Sequence, residues 1–199
     1  MGQNAAARRR WGSLILAAAC LVAAGTASWS IFAKRSNSVA AASEVTASIE
    51  KSSSKLGPSG LPLPRFVSLK AEKVNVRKGP SSDYPVAWVF QRKGMPVEIV
   101  AEFENWRRIR DSDGAEGWIL QNMLSGKRTA MAAPWRQGQS INLHNAPSRD
   151  AGLVARIDSG VVSEIEKCAN GWCEIAAGGY DGYAEQASLW GVYPGEPVD

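Results

Sequence analysis

Few residue types that could support catalytic or metal chemistry occur in this chain. His144 is the only histidine, and Cys168 and Cys173 are the only cysteines in its C-terminal half. Catalysis by a serine or cysteine nucleophile usually needs a nearby base, most often histidine, and His144 falls on a predicted strand, where a packed or solvated side chain is favoured. A zinc site built from His144 and the two cysteines would lack a fourth ligand. These residues therefore predict a protein that is not an enzyme and binds no metal or cofactor.

The two cysteines flank a strong turn signal. The Asn-Gly pair at 170–171 is the favoured sequence for a two-residue type I′ turn. Such a turn places Cys168 directly opposite Cys173, in a non-hydrogen-bonded pair whose side chains come closest. Because that separation lies within reach of a disulfide, the sequence predicts a bond between Cys168 and Cys173.

An internal repeat covers the last two thirds of the chain. The segment Val74-Asn75-Val76-Arg77-Lys78-Gly79-Pro80 aligns with Ile141-Asn142-Leu143-His144-Asn145-Ala146-Pro147. Further landmarks keep the same order with an offset near 66 residues: Asp83 and Asp150, Gly94 and Gly160, Trp106 and Trp172, Gly117 and Gly182, Leu124 and Leu189. Cys168 aligns with Glu102, and Cys173 aligns with Arg107. Opposite charges favour each other across an antiparallel pair, so the first repeat also indicates that these two positions are cross-strand neighbours.

Each repeat reads as short strands separated by turns. In the first repeat, Val74 and Val76 alternate with polar residues, and four further β-type runs follow by residue 119. Five short strands at this spacing predict a small antiparallel barrel. A domain of about 60 residues has a thin core, so the folded part has room for two of them. The predicted fold class is all-β, with two tandem small SH3-like β-barrels after an N-terminal apolar helix and a disordered linker.

The first repeat carries a recognisable signature. Its Asn-Val-Arg-x-Gly-Pro segment, an apolar run ending at Gly94, Trp106, and then Gly117-Trp118 resemble the bacterial SH3 domain family. The second repeat departs from it at His144 and Ala146. The tandem pair resembles exported two-repeat SH3-like proteins of Gram-negative bacteria. This resemblance implies a barrel that binds or scaffolds at the cell envelope, often by targeting enzymes to cell-wall peptides.

The N-terminal region predicts export. Three arginines at 8–10 precede an apolar run, which is the layout of a secretory signal. Residues 11–33 are also long enough to span a bilayer, so an uncleaved anchor is the alternative. The predicted domains are residues 1–33 as signal or anchor, 34–63 as a disordered Ser/Ala-rich linker, and 64–128 and 129–196 as the two SH3-like domains. The predicted location is the periplasm, or the inner membrane facing it.

The net charge of +4 conceals an uneven distribution. Residues 65–128 hold twelve Lys/Arg and eight Asp/Glu, whereas residues 129–199 hold four and nine. A nucleic-acid binder concentrates basic residues on its folded surface, so nucleic acid is excluded as the expected partner. The expected partners are a cell-wall polymer or an envelope protein, and the membrane if the N-terminal segment is uncleaved.

Four residues of the first repeat are the candidate ligand-binding residues. Tyr84 and Trp88 align with alanines of the second repeat, so the fold does not require aromatic side chains there. Together with Arg77 and Arg92 they would form an aromatic groove with basic neighbours, suited to a peptide or an anionic glycan peptide. The alternative is structural: Trp88 fills a larger core and Tyr84 covers the end of the barrel.

Two function classes fit these features. The first is an exported, non-catalytic binding module that recognises cell-wall peptide or glycan. The second is a periplasmic protein-interaction or assembly scaffold. The connection between the repeats is apolar around Trp135, which predicts that the repeats pack together with Trp135 buried between them.

Overall fold

The computed structural model describes residues 55–199. The predicted signal or anchor at 1–33 and the first part of the predicted linker lie outside the described residues. Between residues 55 and 199, no helix is long and apolar enough to cross a membrane. This part of the chain is all-β, with two 3-10 helices, Gln121–Met123 and Gln186–Ser188.

Each repeat forms one seven-stranded antiparallel sheet. Two short strands, β1 (Lys55–Leu56) and β2 (Pro62–Leu63), precede the first sheet. The strands of the first domain are β3 (Arg65–Leu69), β4 (Val74–Arg77), β5 (Val86–Phe90), β6 (Pro96–Phe103), β7 (Trp106–Arg110), β8 (Glu116–Leu120) and β9 (Leu124–Ser125). Those of the second are β10 (Thr129–Ala132), β11 (Ser140–His144), β12 (Leu153–Asp158), β13 (Val162–Ala169), β14 (Trp172–Ala177), β15 (Tyr180–Glu185) and β16 (Leu189–Trp190). The first sheet has the order β5-β4-β8-β7-β6-β3-β9, and the second has the corresponding order β12-β11-β15-β14-β13-β10-β16.

The predicted all-β tandem architecture is thus confirmed for the described residues. The predicted five strands of the first repeat correspond to β4 to β8. The structure adds β3 and β9, which pair with each other at the edge of the sheet.

The polar–apolar alternation of the sequence explains which side of each strand faces the core. Val74 and Val76 are buried while Asn75 between them is exposed, as expected for a strand with one buried face. The ladders shift register at equivalent places in the two domains, between Ile99 and Ala101 in the first and between Ile165 and Lys167 in the second. Such bulges bend a strand and increase its twist. The two domains therefore share fine geometry as well as strand order.

The end of the predicted disordered linker is ordered, which corrects its C-terminal boundary. Residues 55–63 form a two-stranded hairpin, β1 (Lys55–Leu56) and β2 (Pro62–Leu63). The backbone N–H of Ser59 donates to Glu102 Oε2 over 2.9 Å, and its hydroxyl donates to Oε1 over 2.8 Å. The buried Glu102 carboxylate accepts both hydrogen bonds. This contact joins residues far apart in the chain, so the local composition of the linker does not reveal it.

The two domains pack against each other through aromatic side chains. The ring of Phe66 lies 5.1 Å from that of Trp190 and 4.7 Å from that of Tyr193, centroid to centroid. The Tyr193 hydroxyl donates to Glu98 Oε1 of the first domain over 2.7 Å. The predicted packing of the repeats is therefore present in the structure.

Trp135 is not the residue that joins them, contrary to the sequence prediction. Its side chain is 54% exposed. The buried apolar residues of the connecting region are instead Ala130, Met131, Ala132 and Ala133. The first three belong to β10, which pairs with β13 and β16 of the second domain. This run is apolar because it forms a buried strand of the second domain, and not because it lies between the two domains.

Candidate functional site

Two of the four candidate ligand residues lie together at one end of the first domain. Arg77 is the last residue of β4, and its Nη1 donates to the backbone carbonyl of Tyr84 over 2.6 Å. The Tyr84 ring covers Gly79 so closely that a Cβ at Gly79 would overlap it. Tyr84 remains 47% exposed. A ligand role for Arg77 and Tyr84 stays a prediction.

Of the other two candidates, Trp88 lies beside Arg77, whereas Arg92 lies elsewhere. Trp88 is opposite Val76 on the paired strand, and its ring lies edge-on to Phe90 at 6.2 Å. It packs against the core of the first domain and over Gly117. This is the structural role predicted from the sequence as the alternative to ligand binding. Arg92 follows the opposite end of β5 from Arg77, because β4 and β5 are antiparallel. The structure therefore separates Arg92 from the other three candidate residues.

His144 explains how the second domain replaces Arg77. Its Nδ1 lies 3.0 Å from the backbone carbonyl of Ala151, and Ala151 aligns with Tyr84. Since a carbonyl only accepts hydrogen bonds, Nδ1 carries the proton in this contact. The buried His144 ring also meets Trp172 edge to face at 5.8 Å. Arginine in one domain and histidine in the other thus hold the same loop carbonyl.

The disulfide between Cys168 and Cys173 is confirmed, with the predicted register. The two residues are direct cross-strand partners with a Cα separation of 4.1 Å. Asn170 and Gly171 have φ values of 53° and 81°, both positive as a type I′ turn requires. The Cys168 N–H donates to Val198 O, away from Cys173. The cysteines therefore form the predicted non-hydrogen-bonded pair.

The hairpin closed by this disulfide carries a groove that sequence reasoning did not find. Trp172 lines two hollows, one of about 350 Å³ and the other of about 480 Å³, and Pro147 lines both as well. We call the two together the Trp172 groove. Its lining residues are Pro147, Ser148, Arg149, Lys167, Ala169, Asn170, Gly171, Trp172, Glu174, Tyr183 and Glu185.

A small residue beside the tryptophan is one difference between this groove and the same place in the first domain. Ala169 lies directly across the hairpin from Trp172. In the first domain the corresponding cross-strand pair is Phe103 and Trp106. Trp106 is buried, whereas Trp172 is half-buried. The sequence does contain a signal for this groove. Alanine replaces phenylalanine beside the shared tryptophan, and this removes bulk next to a large aromatic face.

The groove is amphipathic and carries both signs of charge. The Glu174 carboxylate, with a contribution from burial, raises the pKa of Tyr183, so the phenol stays protonated at neutral pH. Lys167 lies opposite Glu174 in the ladder and has no ion-pair partner among residues 55–199. The groove therefore offers an aromatic surface with a free ammonium group and a carboxylate on two cross-strand partner residues.

An ion pair borders the second hollow. Arg149 donates from Nε to Glu185 Oε1 over 2.6 Å and from Nη2 to Oε2 over 2.7 Å. This two-point contact lowers the pKa of Glu185. Because Arg149 is well exposed, the pair adds little stability, but it defines a charged rim beside Trp172. Across the described residues, no cluster of side chains could hold a metal ion.

Comparison with known proteins assigns the family. The model of the bacterial SH3 domain matches residues 70–126 and 137–191, which is one match for each domain. The chain belongs to the bacterial SH3 domain family, and the resemblance noted in the sequence is confirmed. The two domains described above are therefore two tandem SH3-like domains.

Two solved structures from Trichomonas vaginalis are similar to parts of this chain. NlpC2 shares 16% identity over 64% of this chain, with a TM-score of 0.30, and NlpC1 shares 18% over 63%, with a TM-score of 0.29. The match covers 48% and 45% of those two chains, respectively, so this chain spans about half of their length. No curated protein matches the sequence.

Proposed function

We propose that this protein is an exported, non-catalytic binding module of the cell envelope, and that it recognises cell-wall peptide through the Trp172 groove of its second domain. The observation that carries the proposal is the half-buried Trp172, which lines both hollows on a hairpin that a disulfide closes. Membership in the bacterial SH3 domain family supports a binding role at the cell wall.

The composition of the groove supports a short peptide as its ligand. Exposed Pro147 and half-buried Trp172 and Tyr183 present a continuous apolar strip, and aromatic-lined grooves of this kind bind extended peptides. Lys167 can pair with a free carboxylate of such a peptide, and Glu174 can pair with a free amine. Cell-wall peptides carry both groups, so their charges complement those of the groove.

Export is supported by the disulfide. Disulfides persist in oxidising compartments such as the periplasm and are rare in the cytosol. The basic and apolar layout of residues 1–33 provides the signal or anchor for export. Arg77 and Tyr84 remain a second candidate contact surface, on the first domain.

The sharpest test exchanges the side chains that distinguish the two domains. Ala169→Phe introduces into the second domain the residue that the first already accommodates at Phe103. It should fill the hollow without disturbing the fold, and binding of the full chain to isolated peptidoglycan should fall at least tenfold. Phe103→Ala is the matched control, because it makes the reverse change on the other domain, and it should leave binding unchanged within about twofold.

Tight binding by Ala169→Phe would contradict the groove as the ligand site. Failure of the unaltered protein to bind peptidoglycan or soluble cell-wall peptides would contradict the proposed function as a whole. Thermal unfolding of both variants shows whether the fold is intact. Capture of an envelope protein instead of peptidoglycan would favour the scaffold alternative.

A further inference from the structure

A second concave surface lies between the two domains, and it has the opposite character to the Trp172 groove. This interdomain cleft has a volume of about 580 Å³. The first domain contributes Lys70, Arg92 and Lys93, the connection contributes Lys127, and the second domain contributes Thr129 and Glu164. The cleft exists only because the domains are packed together, so neither domain alone could form it.

The charge of the cleft is strongly unbalanced. Lys127 Nζ pairs with Glu164 Oε2 over 2.6 Å, and Glu164 is the only carboxylate among the residues that line the cleft. Lys70, Arg92 and Lys93 are exposed and have no ion-pair partner within residues 55–199. Three uncompensated cations therefore face one concavity, where walls of low dielectric concentrate their field.

The backbone that carries these cations is held in place. The Lys70 N–H donates to Met123 O over 2.8 Å, and the Gly94 N–H donates to Leu69 O over 2.9 Å. The hydroxyl of Thr129 donates to Gly94 O over 2.7 Å, which links the second domain to the turn that carries Arg92 and Lys93. The backbone positions that carry the cations are thus set before any ligand arrives, and preorganisation of this kind reduces the cost of binding.

We propose that the interdomain cleft binds a phosphate-bearing ligand. A single carboxylate would neutralise only part of this charge, whereas a phosphate group presents several acceptor oxygens around one multiply charged centre. The guanidinium of Arg92 suits two-point contact with such oxygens, and the ammonium groups of Lys70 and Lys93 supply additional donors. Arg92 was the candidate ligand residue that the fold separated from Arg77, and the cleft gives it a distinct role. This inference does not depend on the proposed function of the Trp172 groove.

The test compares two triple variants of the full chain that lose the same charge. Lys70→Gln/Arg92→Gln/Lys93→Gln removes the free cations of the cleft. Lys55→Gln/Lys78→Gln/Arg156→Gln removes three exposed cations outside it. Titration calorimetry with tripolyphosphate at low salt should show at least a tenfold rise in Kd for the cleft variant and less than a threefold rise for the control. Arg92→Gln alone should raise Kd about threefold, which keeps the test decisive if the triple variant misfolds.

Vesicles distinguish a lipid source of the phosphate from a soluble one. The same proteins are mixed with phosphatidylcholine vesicles with and without phosphatidylglycerol, and the N-terminal segment is identical in all of them. Loss of phosphatidylglycerol-dependent binding in the cleft variant alone supports a lipid phosphate, and loss restricted to tripolyphosphate supports a soluble phosphorylated ligand. Equal losses in both triple variants, or no binding of either probe by the unaltered protein, would overturn the proposal.

Discussion

Glu102 and Cys168 occupy the same place in the two domains, and each is stabilised there by a different interaction. The Glu102 side chain is 1% exposed and pairs with Arg65 over 2.7 Å and with Arg107 over 3.2 Å. Cys168, in the same register, is bonded covalently to Cys173. A buried carboxylate needs such partners, because an unpaired buried charge is costly. The fold therefore accepts either an ion-pair cluster or a covalent bond at this position.

Replacing Glu102 with glutamine should destabilise the first domain. Breaking a buried ion pair by removing one partner costs about 3 kcal/mol, and here it would leave Arg65 and Arg107 without their shared carboxylate. Glu104→Gln is the control, since Glu104 is exposed, and it should change the free energy of unfolding by less than about 0.5 kcal/mol. Denaturant unfolding measures both variants. Similar stabilities would show that the cluster around Glu102 adds nothing.

The same residue predicts a pH dependence. Burial raises the pKa of Glu102, but the hydrogen bonds from Ser59 and the guanidinium of Arg65 lower it by more, so the pKa lies below 4.5. A depressed pKa contributes stability above the unfolded value, and this contribution is lost as the pH falls through the folded value. The stability difference between the unaltered protein and Glu102→Gln should therefore be full at pH 7 and shrink below about pH 4. A difference that stays constant down to pH 2 would contradict this assignment.

At the scale of single elements, the hairpin from Val162–Ala169 to Trp172–Ala177 combines the disulfide with the Trp172 groove. The residues on either side of the buried disulfide line the groove, so the bond restrains the part of the sheet that would meet a ligand. A constraint of this kind reduces the conformational freedom that binding would otherwise have to remove.

Removal of this disulfide should lower both stability and affinity. Cys168→Ser/Cys173→Ser opens a short loop, and the loop-entropy model gives a cost of about 2 kcal/mol. Denaturant unfolding with and without reductant checks the stability, and a peptidoglycan binding assay should show weaker binding by the double variant. Unchanged binding would mean that the hairpin is rigid without the bond.

The parts of the fold that the sequence predicted correctly are those encoded locally. Strand alternation, the Asn-Gly turn and the repeat itself depend on short-range patterns, and the register of Cys168 and Cys173 followed from them. The order of 55–63 depends on the distant Glu102, and the Trp172 groove takes lining residues from separate parts of the chain, such as Pro147 and Tyr183. Such contacts between residues far apart in the chain leave no periodic signal, so they could not be predicted from one sequence.

At the scale of the whole molecule, the contacts between the domains hold the interdomain cleft together. Phe66 is 7% exposed and meets Trp190 and Tyr193 of the second domain. Glu98 accepts a hydrogen bond from Tyr193 and pairs with Arg110 over 3.1 Å. Burial and the neighbouring Glu98 raise the pKa of Tyr193, so its hydroxyl remains a donor at neutral pH. Two small domains with thin cores gain from sharing a buried surface of this kind.

The ring of Phe66 joins the two domains at this interface. Phe66→Ala removes a buried ring from it and should cost about 3 kcal/mol, because the aromatic contacts with the second domain are lost. Calorimetric unfolding should then change from one cooperative transition in the unaltered protein to two separate transitions, one for each domain. Trp135→Ala is the control, and it should leave the single transition in place because Trp135 is 54% exposed. Two transitions already present in the unaltered protein would mean that the domains unfold independently, and the interdomain cleft would then lack the rigid walls on which its proposed phosphate site depends.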